Sequence, residues 1–181
     1  MKRFAKLLEK LLFTPSRNAK IIAMAEYFEN TPDPDRGFAL GAITRDLSLN
    51  NLKPTQLRTL TKSRVDPELF DMSYDYVGDM AETISLIWPK HTNHVLEKQR
   101  LPELGELIAA LQTKSKIALQ TYVTELLDCA SVTERWAIIK MVTGGLRVGV
   151  SARLAKTSLA EYSGKDLTEI EKIWHGIAVP Y

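Results

Sequence analysis

Apolar residues recur at helical spacing along nearly the whole chain, and no long run alternates between apolar and polar residues. Near the amino terminus they follow the pattern of an amphipathic helix, in which every third or fourth residue faces inward. The apolar positions of this first helix are Phe4, Leu7, Leu8, Leu11 and Leu12. Those expected to face inward in a second helix are Ala19, Ile22, Ala23 and Tyr27. Strands need a period of two residues, so the sequence predicts an all-α fold of roughly ten helices with no significant sheet.

Capping and breaking residues divide the rest of the pattern into shorter segments. A short helical turn is expected after Pro67, and Gly164 is placed to end a helix. Ser131 with Glu134 has the spacing of a capping box, and so has Asp166 with Glu169. Helices are expected at 38–46, 56–64, 80–87, 102–112, 115–130, 132–143, 151–162 and 166–175. The polar stretch 89–100 is predicted to be a loop that separates two helical halves.

Length and composition fit one large domain or two small ones, with 181 residues of which 45% are hydrophobic. The single cysteine, Cys129, excludes an internal disulfide framework and fits a reducing compartment. Its place in a helix predicts a buried structural thiol, and Trp136 and Trp174 are likewise expected in the core. No apolar run approaches the roughly 20 residues that span a bilayer, and no secretory signal is present. We therefore expect a cytoplasmic protein without a membrane partner.

Side chains for catalysis or metal binding are scarce. His91 and His94 stand three residues apart in a polar segment without a third ligand nearby, so we expect surface imidazoles and no metal site. The chain has no nucleophile elbow and no phosphate-binding loop of the Gly-x-x-x-x-Gly-Lys-Ser/Thr type. No catalytic residue is therefore predicted.

Charge is segregated along the chain although the net charge is only +2. Residues 1–20 carry six cations and one acid, and residues 53–64 carry four cations and no acid. Residues 140–156 carry four cations and no acid, whereas 66–82 carry six acids and no cation. Because a solvated helix face normally mixes both signs, these blocks predict a cationic surface in the fold. The alternative is that the basic blocks face different directions.

The segment 140–156 places three glycines between two predicted helices. Gly144 and Gly145 can end the first helix in conformations that other residues resist. Ser151 can cap the second helix, and Arg147 lies on the connection. Exposed N–H groups, a helix start and nearby cations together suit a phosphate group. An ordinary corner between two helices is the alternative interpretation.

Four stretches resemble ATP-dependent DNA ligases, and most closely the bacterial ligases of the repair type. Residues 136–151 resemble the stretch in which a helix leads into Leu-Arg-x-Gly-x-Ser, and residues 76–82 resemble Gly-Asp-Leu-x-Glu. Residues 14–20 and 52–58 are similar to two further helical segments of that family. Order and spacing agree across essentially the whole chain. Met80 stands where many relatives have leucine, a swap that conserves volume.

The resemblance implies that residues 1–178 form the helical N-terminal DNA-binding domain of such a ligase. Residues 179–181 would begin the linker to a nucleotidyltransferase domain, which an OB-fold domain follows. The expected partners are these domains and nicked double-stranded DNA, bound by a monomer. The ligase nucleophile is the lysine of a Lys-x-Asp-Gly motif, which Lys165-Asp166-Leu167 does not match. We therefore expect no enzymatic activity and no cofactor in this part, with ATP and Mg²⁺ serving the full-length enzyme.

The hypothesis is that two helix-end loops approach the backbone of a duplex, with Arg147 and Lys140 neutralising phosphates. Asp79 is expected to cap its own helix, since its charge would otherwise oppose a phosphate. The predicted contact residues are Gly78, Asp79, Met80, Lys140, Gly144, Gly145, Leu146, Arg147, Val148, Gly149, Ser151, Lys53 and Arg58. Secondary candidates are Arg45, Lys62 and Arg64.

Two other functions remain open on the sequence. A helical protein-interaction module would explain the architecture without DNA, although stacked helix-pair proteins have a repeat period that this chain lacks. A nucleotide-binding enzyme could use 144–149 as a phosphate loop, but such loops follow a strand, and residues 136–143 have a helical pattern.

Overall fold

The computed structural model describes residues 1–49, 52–89, 100–179 and 181. Within these ranges the chain forms α-helices and no strand, which confirms the all-α prediction. The eleven helices are α1 (Lys2–Phe13), α2 (Arg17–Asn30), α3 (Asp35–Thr44), α4 (Pro54–Lys62), α5 (Pro67–Val77), α6 (Met80–Ile87), α7 (Leu104–Thr113), α8 (Lys116–Cys129), α9 (Val132–Val142), α10 (Ala152–Ser163) and α11 (Leu167–Trp174). Most of the predicted 89–100 loop lies outside the described residues, as do His91, His94 and Pro180.

Side-chain caps fix most of the helix starts. Ser131 and Glu134 form the predicted capping box of α9, and Gly164 ends α10 in the left-handed conformation, at φ 65°. Asp166 caps α11 through the N–H of Thr168, one residue earlier than a capping box requires. The short turn expected after Pro67 is wrong. It is the eleven-residue α5, because Asp66 accepts a hydrogen bond from the N–H of Leu69 and the helix then continues to Val77.

The helices before and after the 90–99 segment pack on each other. α1 contacts α2 and α9, α2 contacts α10, and α6 contacts α9, so the two groups of helices are interleaved around one core. The expected inward positions are largely buried, but Leu12 and Ile22 are exposed. In α2 the buried face includes Ile21, Met24 and Phe28, each of which lies one residue from a position that was predicted to face inward. The reason is that α2 packs between α1 and α10 and buries a face broader than the pattern indicated.

A buried arginine near the amino-terminal end of α9 joins three helices. Arg135 of α9 donates from Nε to the Leu127 carbonyl of α8 (2.7 Å) and from Nη1 to the Trp88 carbonyl after α6 (3.1 Å). Burial lowers the pKa of its guanidinium, which the carboxylate of Asp128 partly offsets. The indole of Trp88 is itself buried and donates to Asp128 at 2.9 Å. Arg135 is therefore a structural cation.

Three expected core residues are only partly buried. Trp136 and Trp174 pack against the core with part of each ring exposed, and each lies under a lysine ammonium. Cys129 is half-buried, and burial together with Asp128 raises the pKa of its thiol. Cys129 and Trp174 are the last residues of α8 and α11, where a helix end leaves one side open, whereas Trp136 lies in the middle of α9. In the described part of the chain, no helix has the length and apolar character needed to cross a membrane.

Candidate nucleic-acid interface

The glycine pair at the end of α9 closes that helix through two backbone hydrogen bonds. The Gly144 N–H donates to the Met141 carbonyl (3.2 Å), and the Gly145 N–H donates to the Lys140 carbonyl (3.0 Å). This geometry needs one left-handed residue, and Gly144 supplies it at φ 68°. Gly145 does not have a positive φ, so only the first glycine of the pair needs the conformational freedom that the sequence led us to expect at both.

Residues 146–149 alternate between the core and the surface. Leu146 and Val148 are buried, whereas Arg147 between them is exposed. Arg147 makes no hydrogen bond or ion pair with any residue in the described ranges, so its guanidinium is available to a ligand. The hypothesis placed Leu146 and Val148 among the contact residues. Their side chains are buried in the core, so any contact that these two residues make with a ligand would come from the backbone.

A buried lysine supports this loop from below. Lys20 of α2 donates from Nζ to the carbonyls of Val148 (2.9 Å) and Gly149 (3.1 Å). Gly149 has φ +65°, and a Cβ there would stand 2.7 Å from the Lys20 Nζ. Sequence reasoning did not assign Lys20 this role. The one available signal was a lysine next to the apolar face of α2, but its partners lie 128 and 129 residues away.

The segment that leads into α4 meets the same end of α9. The Leu52 N–H donates to the Val142 carbonyl at 2.8 Å, which places Lys53 beside the glycine pair. Lys53 is exposed, and its own N–H donates to the side chain of Gln56. The Thr143 N–H donates to the Ile139 carbonyl. Together with the bonds to the carbonyls of residues 140, 141 and 142, this means that all four terminal carbonyls of α9 are hydrogen-bonded. The negative end of this helix therefore presents no unpaired acceptor to an approaching anion.

The corner between α5 and α6 is the third segment at this site. Gly78 has φ 76°, and no atom lies within 4 Å of the position that a Cβ would take there. Asp79 caps α6 by accepting from the Glu82 N–H at 2.9 Å, as expected. Its other carboxylate oxygen accepts from Lys140 Nζ at 2.6 Å. Partial burial alone would raise the pKa of Asp79, but the hydrogen bonds from Lys140 and from the backbone hold it below its ordinary value.

These contacts gather three segments around the end of α9. We call residues 52–53, 78–80 and 140–151 the α9 corner. The predicted residues of the two loops thus come together, with Met80 half-buried against the core and Ser151 at the start of α10. The ammonium of Lys140, a predicted phosphate contact, is paired with the Asp79 carboxylate in the structure.

Next to the α9 corner, two helix starts face a small cavity of about 290 Å³. Ser16 caps α2 through the Ala19 N–H, and Ser151 caps α10 through the Leu154 N–H. The cavity is lined by Pro15, Arg17, Lys20, Gly149, Ser151, Arg153 and Leu154. Arg17 and Arg153 are exposed, and the positive ends of two helix dipoles add to their charge. The prediction omitted both arginines, because they meet only after the chain folds.

In the basic block 53–64, most of the cationic side chains contact neighbouring residues of the fold. Only Lys53 of this block belongs to the α9 corner. The other three cations lie against aromatic rings or carboxylates: Arg58 over Tyr74 (5.1 Å) and Phe70 (5.7 Å), Lys62 with Asp71 (2.6 Å) and Arg64 with Asp128 (3.2 Å). The structure thus turns Arg58, Lys62 and Arg64 toward neighbouring side chains. Arg45, in a left-handed conformation at φ 66°, ends α3 and is exposed.

The α9 corner has the chemistry of an anion site. It combines exposed guanidinium and ammonium groups, backbone turns that allow close approach, and a helix end without unpaired carbonyls. Among the described residues, no group of three His, Cys, Asp or Glu side chains could hold a metal ion. Binding of phosphate groups is what this arrangement can do chemically.

Comparison with known protein families assigns the chain to one of them. A family model described as DNA ligase N terminus matches residues 1–160, which include all three segments of the α9 corner. No curated protein matches the chain. The chain belongs to the DNA ligase N-terminal family, the N-terminal domain of ATP-dependent DNA ligases.

Proposed function

We propose that this domain binds double-stranded DNA at a nick through its backbone and minor groove, without reading sequence, and so clamps the substrate of an ATP-dependent DNA ligase. The observation that carries the proposal is the α9 corner, in which contacts of 2.6 and 2.8 Å bring two separate segments to the end of α9. Phosphate contacts of this kind fix position without reading bases, which suits an enzyme that must act at any nick.

The α9 corner and the adjoining cavity leave four exposed cations for phosphates. They are Arg147, Lys53, Arg17 and Arg153. The ammonium of Lys140 is paired with Asp79, and the guanidinium of Arg58 lies over the ring of Tyr74, so neither is counted among them. We therefore propose about four neutralised phosphates, with the loops at Gly78 and Gly149 coming close to the sugar–phosphate chain. A footprint that follows groove shape needs such small residues at the closest points.

The proposal extends to the whole enzyme. Residues 1–178 act as one DNA-binding unit, and a nucleotidyltransferase domain with an OB-fold domain follows the linker that begins at 179. The lysine nucleophile, ATP and Mg²⁺ belong to that catalytic part, so this part alone seals no nick. We place the full-length protein in the cytoplasm as a monomer that serves DNA repair, replication and recombination.

Salt dependence of binding tests the proposal. Affinity for a nicked duplex is expected to fall linearly on a log–log plot against salt concentration, with a slope of about −3.6, or about −0.9 for each phosphate. Intact duplexes of unrelated sequence are expected to give the same slope, because no bases are read. Fluorescence anisotropy between about 50 and 200 mM salt measures it. A flat response would refute backbone binding.

A further inference from the structure

The outer face of α5 carries an apolar strip that the fold does not use. Leu69, Met72 and Tyr76 recur at helical spacing on one side of the helix, and they are 52%, 66% and 92% exposed. Together they expose side-chain surface on the order of 400 Å², a size at which apolar patches on a monomer are often functional. We call this strip, with Glu68 and Asp75 along its edge, the α5 outer face.

The inner side of α5 is already filled. Phe70 is fully buried, and Tyr74 stacks on it with the ring centroids 6.1 Å apart. Arg58 covers Tyr74 from α4, and Asp66 caps the start of the helix. Core packing therefore accounts for the inner residues of α5 and gives no reason for Met72 and Tyr76 to be apolar.

The charges beside the strip restrict what can bind there. Asp71 is paired with Lys62, but Glu68 and Asp75 make no ion pair with any residue that the structure describes. Both lie on the same edge of the strip, within about one turn of Met72. An acidic edge repels DNA phosphates and anionic lipid headgroups. A second copy packed antiparallel on the strip about a two-fold axis would bring the acids of the two copies together, which is also unfavourable.

We propose that the α5 outer face binds a basic amphipathic helix of another protein. Its apolar side would cover Leu69, Met72 and Tyr76, and its lysines or arginines would face Glu68 and Asp75. Tyr76 stands two residues before Gly78, so the bound partner lies next to the α9 corner. This interaction goes beyond DNA binding, and it would hold a basic protein beside the duplex. With three side chains as its centre, the contact is small and belongs to the weak, transient class of interfaces.

A designed peptide tests the apolar part of this surface. The probe is a fluorescein-labelled helical peptide of leucine and lysine with one apolar and one basic side, and its binding is read by anisotropy. The double variant Met72→Ser, Tyr76→Ser is expected to bind it at least about tenfold more weakly than the unmodified chain. Phe13→Ser is the matched control, since Phe13 is 76% exposed on α1, and it is expected to leave binding unchanged.

Charge variants keep the test independent of any effect on folding. Glu68→Gln with Asp75→Asn leaves the apolar strip intact and is expected to weaken peptide binding about fivefold. A leucine–glutamate peptide of the same pattern is expected not to bind. The proposal would be overturned if the Phe13 variant lost as much peptide affinity as the double serine variant. It would also be overturned if replacing Glu68 and Asp75 left peptide affinity unchanged. Self-association of the chain that disappears in the double variant would assign the face to a second copy and overturn it as well.

Discussion

Arg147→Glu is expected to weaken binding of every duplex by about 100-fold at about 0.1 M salt, and Arg147→Ala by about tenfold. Leu146 and Val148 anchor the loop in the core, so Arg147 projects from the surface without a partner among the described residues. A guanidinium in that position can donate its hydrogen bonds to the oxygens of a phosphate. Equilibrium anisotropy with nicked and intact duplexes measures the loss, and the salt slope should fall by about one for the alanine variant.

Lys165→Ala is the matched control for this result. Lys165 is exposed just beyond the far end of α10, about 18 Å along that helix from Ser151. The Lys165→Ala variant loses one positive charge, as Arg147→Ala does, but is expected to change DNA affinity less than twofold. Because Arg147 is exposed, its variants should also keep the thermal transition of the unmodified chain. An Arg147→Ala protein that unfolds early would show instead that Arg147 supports the loop.

Asp79→Asn is expected to raise DNA affinity about fivefold, an effect of opposite sign. The carboxylate holds Lys140 Nζ at 2.6 Å and adds a negative charge within the α9 corner. Asparagine caps a helix as well as aspartate does, so α6 should keep its start while Lys140 becomes available to a phosphate. The ion pair is partly exposed and contributes about 1 kcal/mol at most, so the melting temperature should fall by only a few degrees.

Asp166→Asn separates this local effect from a change in net charge. Asp166 also caps a helix, α11, and lies beyond the far end of α10 from the α9 corner. The variant makes the same change in charge and in capping group, yet it is expected to leave affinity unchanged. Anisotropy titrations of the two variants in parallel give the comparison. Similar gains in both would mean that only net charge matters and that the Asp79–Lys140 pair has no special place in binding.

Local hydrogen-bond chemistry is what the sequence could predict. The caps at Ser131 and Ser151 and the Asp79 cap of α6 all involve partners three residues apart. Glycine at 164 ends a helix because only a residue tolerant of positive φ fits there. These short-range rules gave the type and approximate limits of most helices. They failed for α5, whose many acids hide its inward stripe of Phe70 and Tyr74.

The candidate site depends on contacts that no local rule contains. Lys140 meets Asp79 across 61 residues, and Lys20 meets Val148 across 128. The motifs therefore identified the loops, but which cations stay free could be read only from the fold. Arg58 illustrates the limit, since a basic block on the sequence does not show that its guanidinium lies over aromatic rings.

The central claim is that the α9 corner contacts the backbone of duplex DNA. Amide hydrogen exchange, followed residue by residue with and without a nicked duplex, tests it most directly, because it needs no variant and covers the whole surface. The account predicts slower exchange at 78–80 and 144–151 in the presence of DNA, with little change on α8 and α11. Protection confined to α8 or α11, with the α9 corner exchanging as fast as in free protein, would contradict it.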